Sequence, residues 1–304
     1  MKKLLSIVLV LTLALALCLP AMAEDFTIAI NLKTLSSEYW QNVKAGCDAA
    51  AEELGVNIDV QGAAAETEIA EQVAQLETQL AGAPDAVIIA PLDGDAVIGA
   101  IESSGYQGIV VFCDTDCAYE GKTSFVGTSN EVAAKQGGDY GVAINGADTK
   151  AVIIYGQEGD NTSNLRKSGY EKAVAEAGLE LVAQLSGNNT TDGATKAMED
   201  LLNAYPDGIN LVLCMNDDTA IGALNAVQAA GVEGIDIIGF DGNASAVELI
   251  ASGDLKATVA QQPTLMGYLA VETALKALQG EAVEANVVVD TVIIDAANCA
   301  EYLK

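Results

Sequence analysis

Along residues 26–304, short apolar runs alternate with segments whose apolar residues recur at helical spacing. Strands are predicted over 26–32, 56–60, 86–90 and 109–113. Between the first two, Val43, Cys47, Ala50, Ala51 and Leu54 share one face of a helix that stops at Gly55. Residues 66–80 form a helix with Ile69, Val73, Leu76 and Leu80 inward, and 95–104 form another. A polar loop over 33–38 precedes Tyr39 and Trp40. After a brief strand at 124–126, Asn130 opens a helix that Gly146 closes. The rhythm then restarts, with strands at 151–155, 181–185, 211–215, 235–240 and 257–260. Helices lie between them, the last running to Leu278, and a strand pair at 287–289 and 292–294 ends the chain.

Strands alternating with helices of this length imply an α/β fold with parallel sheets flanked by helices. The stretch from Ala86, AVIIAPLDGDAVIGA, is matched by LVLCMNDDTAIGALNA from Leu211. Asp95 aligns with Asp218, and Asp114 with Asp241, so two halves share one plan. Ligands of open parallel sheets bind beyond the strands' carboxyl ends, and clefts between domains are favoured sites. Asn216, Asp241 and Asp114 therefore become candidate site residues. Helix or turn capping is the competing role for all three.

The N-terminus changes the picture. Lys2 and Lys3 precede an apolar run over 4–19, and Ala21-Met22-Ala23 offers a cleavage site, so residues 1–23 read as a signal peptide and the chain as exported. Cys18 invites lipid anchoring, but Leu17 stands where a lipoprotein signal has a small residue. The remaining 281 residues exceed a usual single core, so two domains are expected. Without Lys2 and Lys3, 12 of the 14 basic residues face all 43 acidic ones, a formal net charge of −31. Such a surface repels nucleic acid and anionic lipid. With no histidine in the chain, histidine-dependent hydrolase triads and metal sites are excluded. Five cysteines remain without CxxC spacing, and only Cys113 and Cys117 could pair locally.

The signal peptide, the duplicated halves, NDDTAIGAL from Asn216 and IIGFDG from Ile237 together resemble the periplasmic sugar-binding proteins, most of all their ribose-binding branch. FVGTSNEVAAKQGGDYG from Phe125 and ATVAQQP from Ala257 add to the resemblance, which spans the mature chain. It implies two Rossmann-like lobes of the type 1 periplasmic binding protein fold, joined by three crossovers near Thr128, Gln261–Pro263 and Asn286. One lobe would hold 24–127 plus 262–286, the other 128–261 plus 287–304. It further implies a monomer that closes on a monosaccharide and delivers it to an ABC transporter permease in the periplasm or cell envelope. No cofactor or metal is implied. The family's sugar-contacting positions carry over to Ser37, Tyr39, Trp40, Asp114, Asn164, Asn189, Asn216, Asp241 and Gln261.

Sugar chemistry suits most of these residues. Carboxylates accept hydroxyl protons, amides donate and accept, and aromatic rings cover C–H faces. Tyr39 and Trp40 have an alternative role as a plug of the lobe core. The chain departs from the family at Thr115 and Asn164, where pentose binders carry arginine. Arg166 is two positions further along, about 200° around the helix. Asn189 replaces a stacking aromatic. A hexose, polyol or related polar solute fits such a pocket as readily as ribose. A glycosidase-like pairing of Asp114 with Asp241 is the enzymatic alternative, but no GxSxG elbow or dinucleotide loop accompanies it. A sensory receptor would present the same site. A DNA-binding regulator would need a helix-turn-helix where the signal peptide stands.

Overall fold

The computed structural model describes residues 26–206 and 208–303. The predicted signal peptide, its cleavage site and Cys18 lie outside them. Uninterrupted apolar runs became sheet interior: β3 (Ala86–Ile89), β6 (Ala151–Tyr155) and β8 (Leu211–Cys214) are buried along nearly every position. Around them lie β1 (Thr27–Thr34), β2 (Asn57–Ala63), β4 (Ile109–Cys113), β5 (Ser124–Gly127), β7 (Ala183–Ser186), β9 (Asp236–Asp241), β10 (Ala257–Ala260), β11 (Asn286–Val288) and β12 (Val292–Asp295). They form two six-stranded sheets, ordered β11-β5-β4-β3-β1-β2 and β12-β10-β9-β8-β6-β7. Apart from β11 and β12, the five strands of each sheet follow the same order, all parallel. The internal repeat is thus a repeated topology, with one switch point between β1 and β3 and the other between β6 and β8.

In the first lobe α1 (Glu38–Leu54), α2 (Ile69–Ala81), α3 (Gly94–Ser104) and α9 (Pro263–Leu278) cover the sheet. In the second, the covering helices are α4 (Asn130–Asn145), α5 (Asn161–Glu176), α6 (Thr191–Ala204), α7 (Asp217–Ala230) and α8 (Ala244–Ser252). Backbone contact holds α1 to α9. A Cβ on Gly46 would sit 1.9 Å from the Thr264 carbonyl, and one on Gly267 would sit 2.1 Å from that of Val43. All five described cysteines are free, Cys113 and Cys117 included. Burial pushes the Cys117 thiol up to about 11 and that of Cys47 to about 12, so neither is a ready nucleophile.

The chain passes between sheets after β5, after β10 and between β11 and β12. The third passage differs from the expected position near Asn286, and the two final strands do not pair. β11 lies parallel to β5, while β12 runs antiparallel to β10 in the other sheet. Val289, Asp290 and Thr291, which separate them, include no glycine or asparagine to turn a tight hairpin. Each short strand instead completes the edge of a different lobe.

Candidate ligand-binding cleft

Both switch points face one cavity of about 330 Å³, mouth included. On the first lobe, Ser37 ends the loop after β1 and caps α1 by accepting from the Trp40 amide. That cap places Tyr39 and Trp40 on the first helical turn. Their rings meet edge to face at 5.1 Å, and both line the cavity although only 5% and 3% exposed. They plug the lobe core and wall the cleft at once. The Tyr39 hydroxyl donates to Asp114 Oδ2 at 2.6 Å, and Thr115 Oγ1 donates to Asp114 Oδ1 at 2.8 Å.

On the second lobe, Asn216 Oδ1 accepts from the Thr219 amide and Thr219 Oγ1 accepts from the Asn216 amide, a reciprocal cap on α7. Capping and cleft roles coexist here, since Asn216 also lines the cavity. Asp241 Oδ1 accepts from Gln261 Nε2 at 2.8 Å and lies 3.5 Å from Arg166 Nη1. Burial first, then repulsion from Asp217, raises the Asp241 carboxyl well above the usual range, with Arg166 pulling the other way. Asp114 and Asp241 both have positive φ, 65° and 122°. Few non-glycine residues adopt such backbones, and they concentrate where a site dictates geometry.

Three of the nine expected residues stand elsewhere. Asn164 is exposed and lines no part of this cavity; Arg166 does. Asp160 caps α5, and the cleft face of that helix carries Thr162 and Arg166, four positions apart. The 200° offset separates Asn164 from this face, so the position carried over from the family lies two residues from the one that lines the cavity. Arg166 spans the floor, donating to the Asn130 side chain at 2.8 Å and the Met215 carbonyl at 2.9 Å, with its guanidinium 3.7 Å over the Phe240 ring. Gln261 sits behind Asp241 and accepts from Thr128 at 2.7 Å, tying two inter-lobe passages to one carboxylate. Asn189, at φ 58°, also stands behind the wall and donates to Glu66 at 2.8 Å and Asp160 at 3.3 Å. Gly156 makes room for it, since a Cβ there would lie 1.8 Å from Asn189 Oδ1.

Lys33, Glu66, Asp160 and Asp218 escaped the sequence reading. Lys33, assigned to a loop, lies within β1 and is 2% exposed; it donates to Asp160 of the other lobe at 2.7 Å. Burial opposes its charge, but Asp160, Glu66 and Asp114 outweigh that, and its pKa rises. Glu66 was expected within a helix, yet α2 begins three residues later and leaves Glu66 free to accept from Trp40 Nε1 at 2.7 Å. Burial raises the Glu66 carboxyl against the pull of Lys33. Lys33 is the penultimate residue of β1, and Glu66 and Asp160 follow the carboxyl ends of β2 and β6. The strand-end argument that singled out Asp114 would have found them too.

Other contacts also cross the cleft. Thr115 faces Thr162 at 3.0 Å, and Asn161 donates to the Asp116 carbonyl at 3.1 Å. At the rim, Glu38 accepts from the Ala244 amide at 2.7 Å and from Ser245 at 3.0 Å, capping α8 from the opposite lobe.

Residues 28–282 match the family model described as periplasmic binding protein domain. The ribose import binding protein of Escherichia coli (strain K12) is 31% identical over 295 residues, covering 97% of this chain and 98% of that protein. A carbohydrate transporter solute-binding protein from Agrobacterium radiobacter, solved with D-arabinose, superposes with a TM-score of 0.84 at 31% identity, covering 92% and 97% of the two chains. The myo-inositol binding protein of Caulobacter, solved with myo-inositol, gives 0.83 at 27% identity, covering 93% and 97%. The chain belongs to the periplasmic binding protein family.

Proposed function

We propose that this protein captures a monosaccharide or similar polyhydroxylated solute between its lobes and hands it to an ABC importer. It is a binding protein and not an enzyme, as its relatives are. One observation carries the reading: Asp114 and Asp241, from equivalent strand ends of the two halves, line one cavity together with Tyr39 and Trp40. Each carboxylate keeps acceptor capacity for sugar hydroxyls, while the rings cover an apolar face. In this reading Ser37, Tyr39, Trp40, Asp114, Arg166, Asn216 and Asp241 touch the solute, and Asn189 and Gln261 hold those that do. The lobes swing about the passages at Thr128, Gln261–Gln262 and Val289–Thr291, and a solute that contacts both lobes favours closure. The N-terminal segment supports export to the periplasm or cell envelope, with cleavage after Ala23 rather than anchoring at Cys18; in this reading the mature chain works there as a monomer.

A thermal-shift panel of pentoses, hexoses, polyols and nucleosides tests the reading. A solute at 100 times its Kd adds about 2.7 kcal/mol of stability. Asp241→Ala should erase the shift. If no small polar solute moves the midpoint, or if the variant keeps it, the cleft is not the binding site.

A further inference from the structure

The charges lining the cavity do not balance. Glu66, Asp114, Asp218 and Asp241 face it, against only Lys33 and Arg166. Both cations are already engaged. Lys33 pairs with Asp160, a fifth carboxylate just behind the wall, and Arg166 pairs with Asp241. Glu66, Asp114 and Asp218 form no ion pair of their own among the described residues; Lys33, already bonded to Asp160, is the one cation whose field also reaches Glu66 and Asp114. The hydrogen bonds that Glu66 and Asp114 accept come from neutral donors. Asn189 reaches across from the other lobe and donates to Glu66 at 2.8 Å.

Closure around a neutral sugar would bury this excess uncompensated, a costly arrangement in a low-dielectric site. A ligand ammonium would supply the missing charge and up to three donors to carboxylates that retain free lone pairs. The upward shifts of Glu66 and Asp218, caused first by burial, run in the direction that such a cation would reverse.

We propose that the solute carries a protonated amine, as an amino sugar or aminated polyol does, and that Glu66 with Asp218 selects for it. This rests on the cleft reading above. The test is titration calorimetry on the mature chain with matched sets. D-glucose, D-glucosamine and N-acetyl-D-glucosamine form one; the galactose series and myo-inositol with its monoamine form others. In at least one set the amine should bind ten times tighter or more than both its hydroxyl and its N-acetyl counterparts, a gap of about 1.4 kcal/mol. Glu66→Gln or Asp218→Asn should shrink that ratio at least threefold, while each unliganded variant still melts in one cooperative transition. Neutral members that bind as tightly as amines overturn the amine proposal and leave the sugar-binding reading standing. An amine preference unchanged in both variants overturns the assignment to Glu66 and Asp218. If no member of any set binds, the amine proposal and the sugar-binding reading both fall.

Discussion

Lys33 and Asp160 come from opposite lobes and meet at 2.7 Å inside the cleft, both almost wholly buried. The pair is therefore a property of the closed state: separating the lobes returns each charge to water. Buried ion pairs seldom add net stability, because desolvation offsets their attraction, but breaking one partner leaves the other exposed to the full penalty. Here the protein can escape that penalty by opening.

Lys33→Met should consequently act on closure more than on folding. Asp160 would be left beside Glu66 with no cation, so the closed form should lose about 3–5 kcal/mol, the cost of an orphaned buried charge. We expect solute dissociation to accelerate by at least a hundredfold, measured by stopped-flow fluorescence of Trp40. The unliganded melting temperature should change little. An equal loss in unliganded and liganded proteins would place the pair in the folding core instead.

Arg166 and Asn164 separate cleanly. Arg166→Ala strips Asp241 of its cation and removes the donors that satisfy Asn130 and the Met215 carbonyl. It should abolish detectable solute binding and destabilise the second lobe by about 3 kcal/mol or more. Arg166→Lys keeps the charge without the planar fork and should recover only part of either. Asn164→Ala should stay within about 0.5 kcal/mol of the parent and bind normally. Calorimetric titration with denaturant melts on the three variants decides whether Arg166 or Asn164 serves the site.

Asp241 holds both burial-disfavoured charge and a positive φ, so it stores cost in the unliganded protein. Glycine adopts that backbone freely. Asp241→Gly should erase the solute-induced shift. Relief of backbone strain is worth about 1–3 kcal/mol, but the buried Arg166 guanidinium loses its counter-charge, at about 3–5 kcal/mol, and Gln261 loses its acceptor. The unliganded melting temperature should therefore fall by less than that of Asp241→Ala, which keeps the strain. A Gly variant no more stable than the Ala variant would mean that the backbone at 241 stores no cost.

How far the cleft could be read from residues alone is plain from these positions. Unbroken apolar strands and the Asp114/Asp241 repeat were visible because parallel sheets bury both faces and duplicate their strand ends. The register along α5 was the weak point. Asn164 was carried over from the family's pattern, and a shift of two positions on that helix exchanges it for Arg166. Lys33 and Glu66 were hidden for another reason. A charge turned inward looks like an ordinary loop or helix-surface residue until its partner, more than 100 positions away for Lys33–Asp160 and Glu66–Asn189 alike, is placed beside it. The positive φ of Asp114, Asn189 and Asp241 left no trace, because aspartate and asparagine occur in every conformational setting.

Acidity should stabilise the unliganded fold. Burial pushes the Asp217 carboxyl up to about 7, against hydrogen bonds from Thr258 at 2.7 Å and the Asn243 amide at 2.8 Å that favour its charged form. A carboxyl whose folded pKa exceeds its unfolded value binds more protons when folded. Its contribution is fully present below about pH 4 and is lost as pH rises through 7. Asp241, Glu66 and Asp218 are raised in the same direction. Lys33 is raised from 10.5 and so titrates above this window. Thermal melts of the unliganded protein should therefore give a higher midpoint at pH 5 than at pH 8. Asp217→Asn should cost about 1–2 kcal/mol at pH 5, where one acceptor of its pair is lost, and less at pH 8, where the parent carries a buried charge. A variant that keeps the parent's full pH slope would show that the slope comes from the cleft carboxylates and not from the residue beneath them.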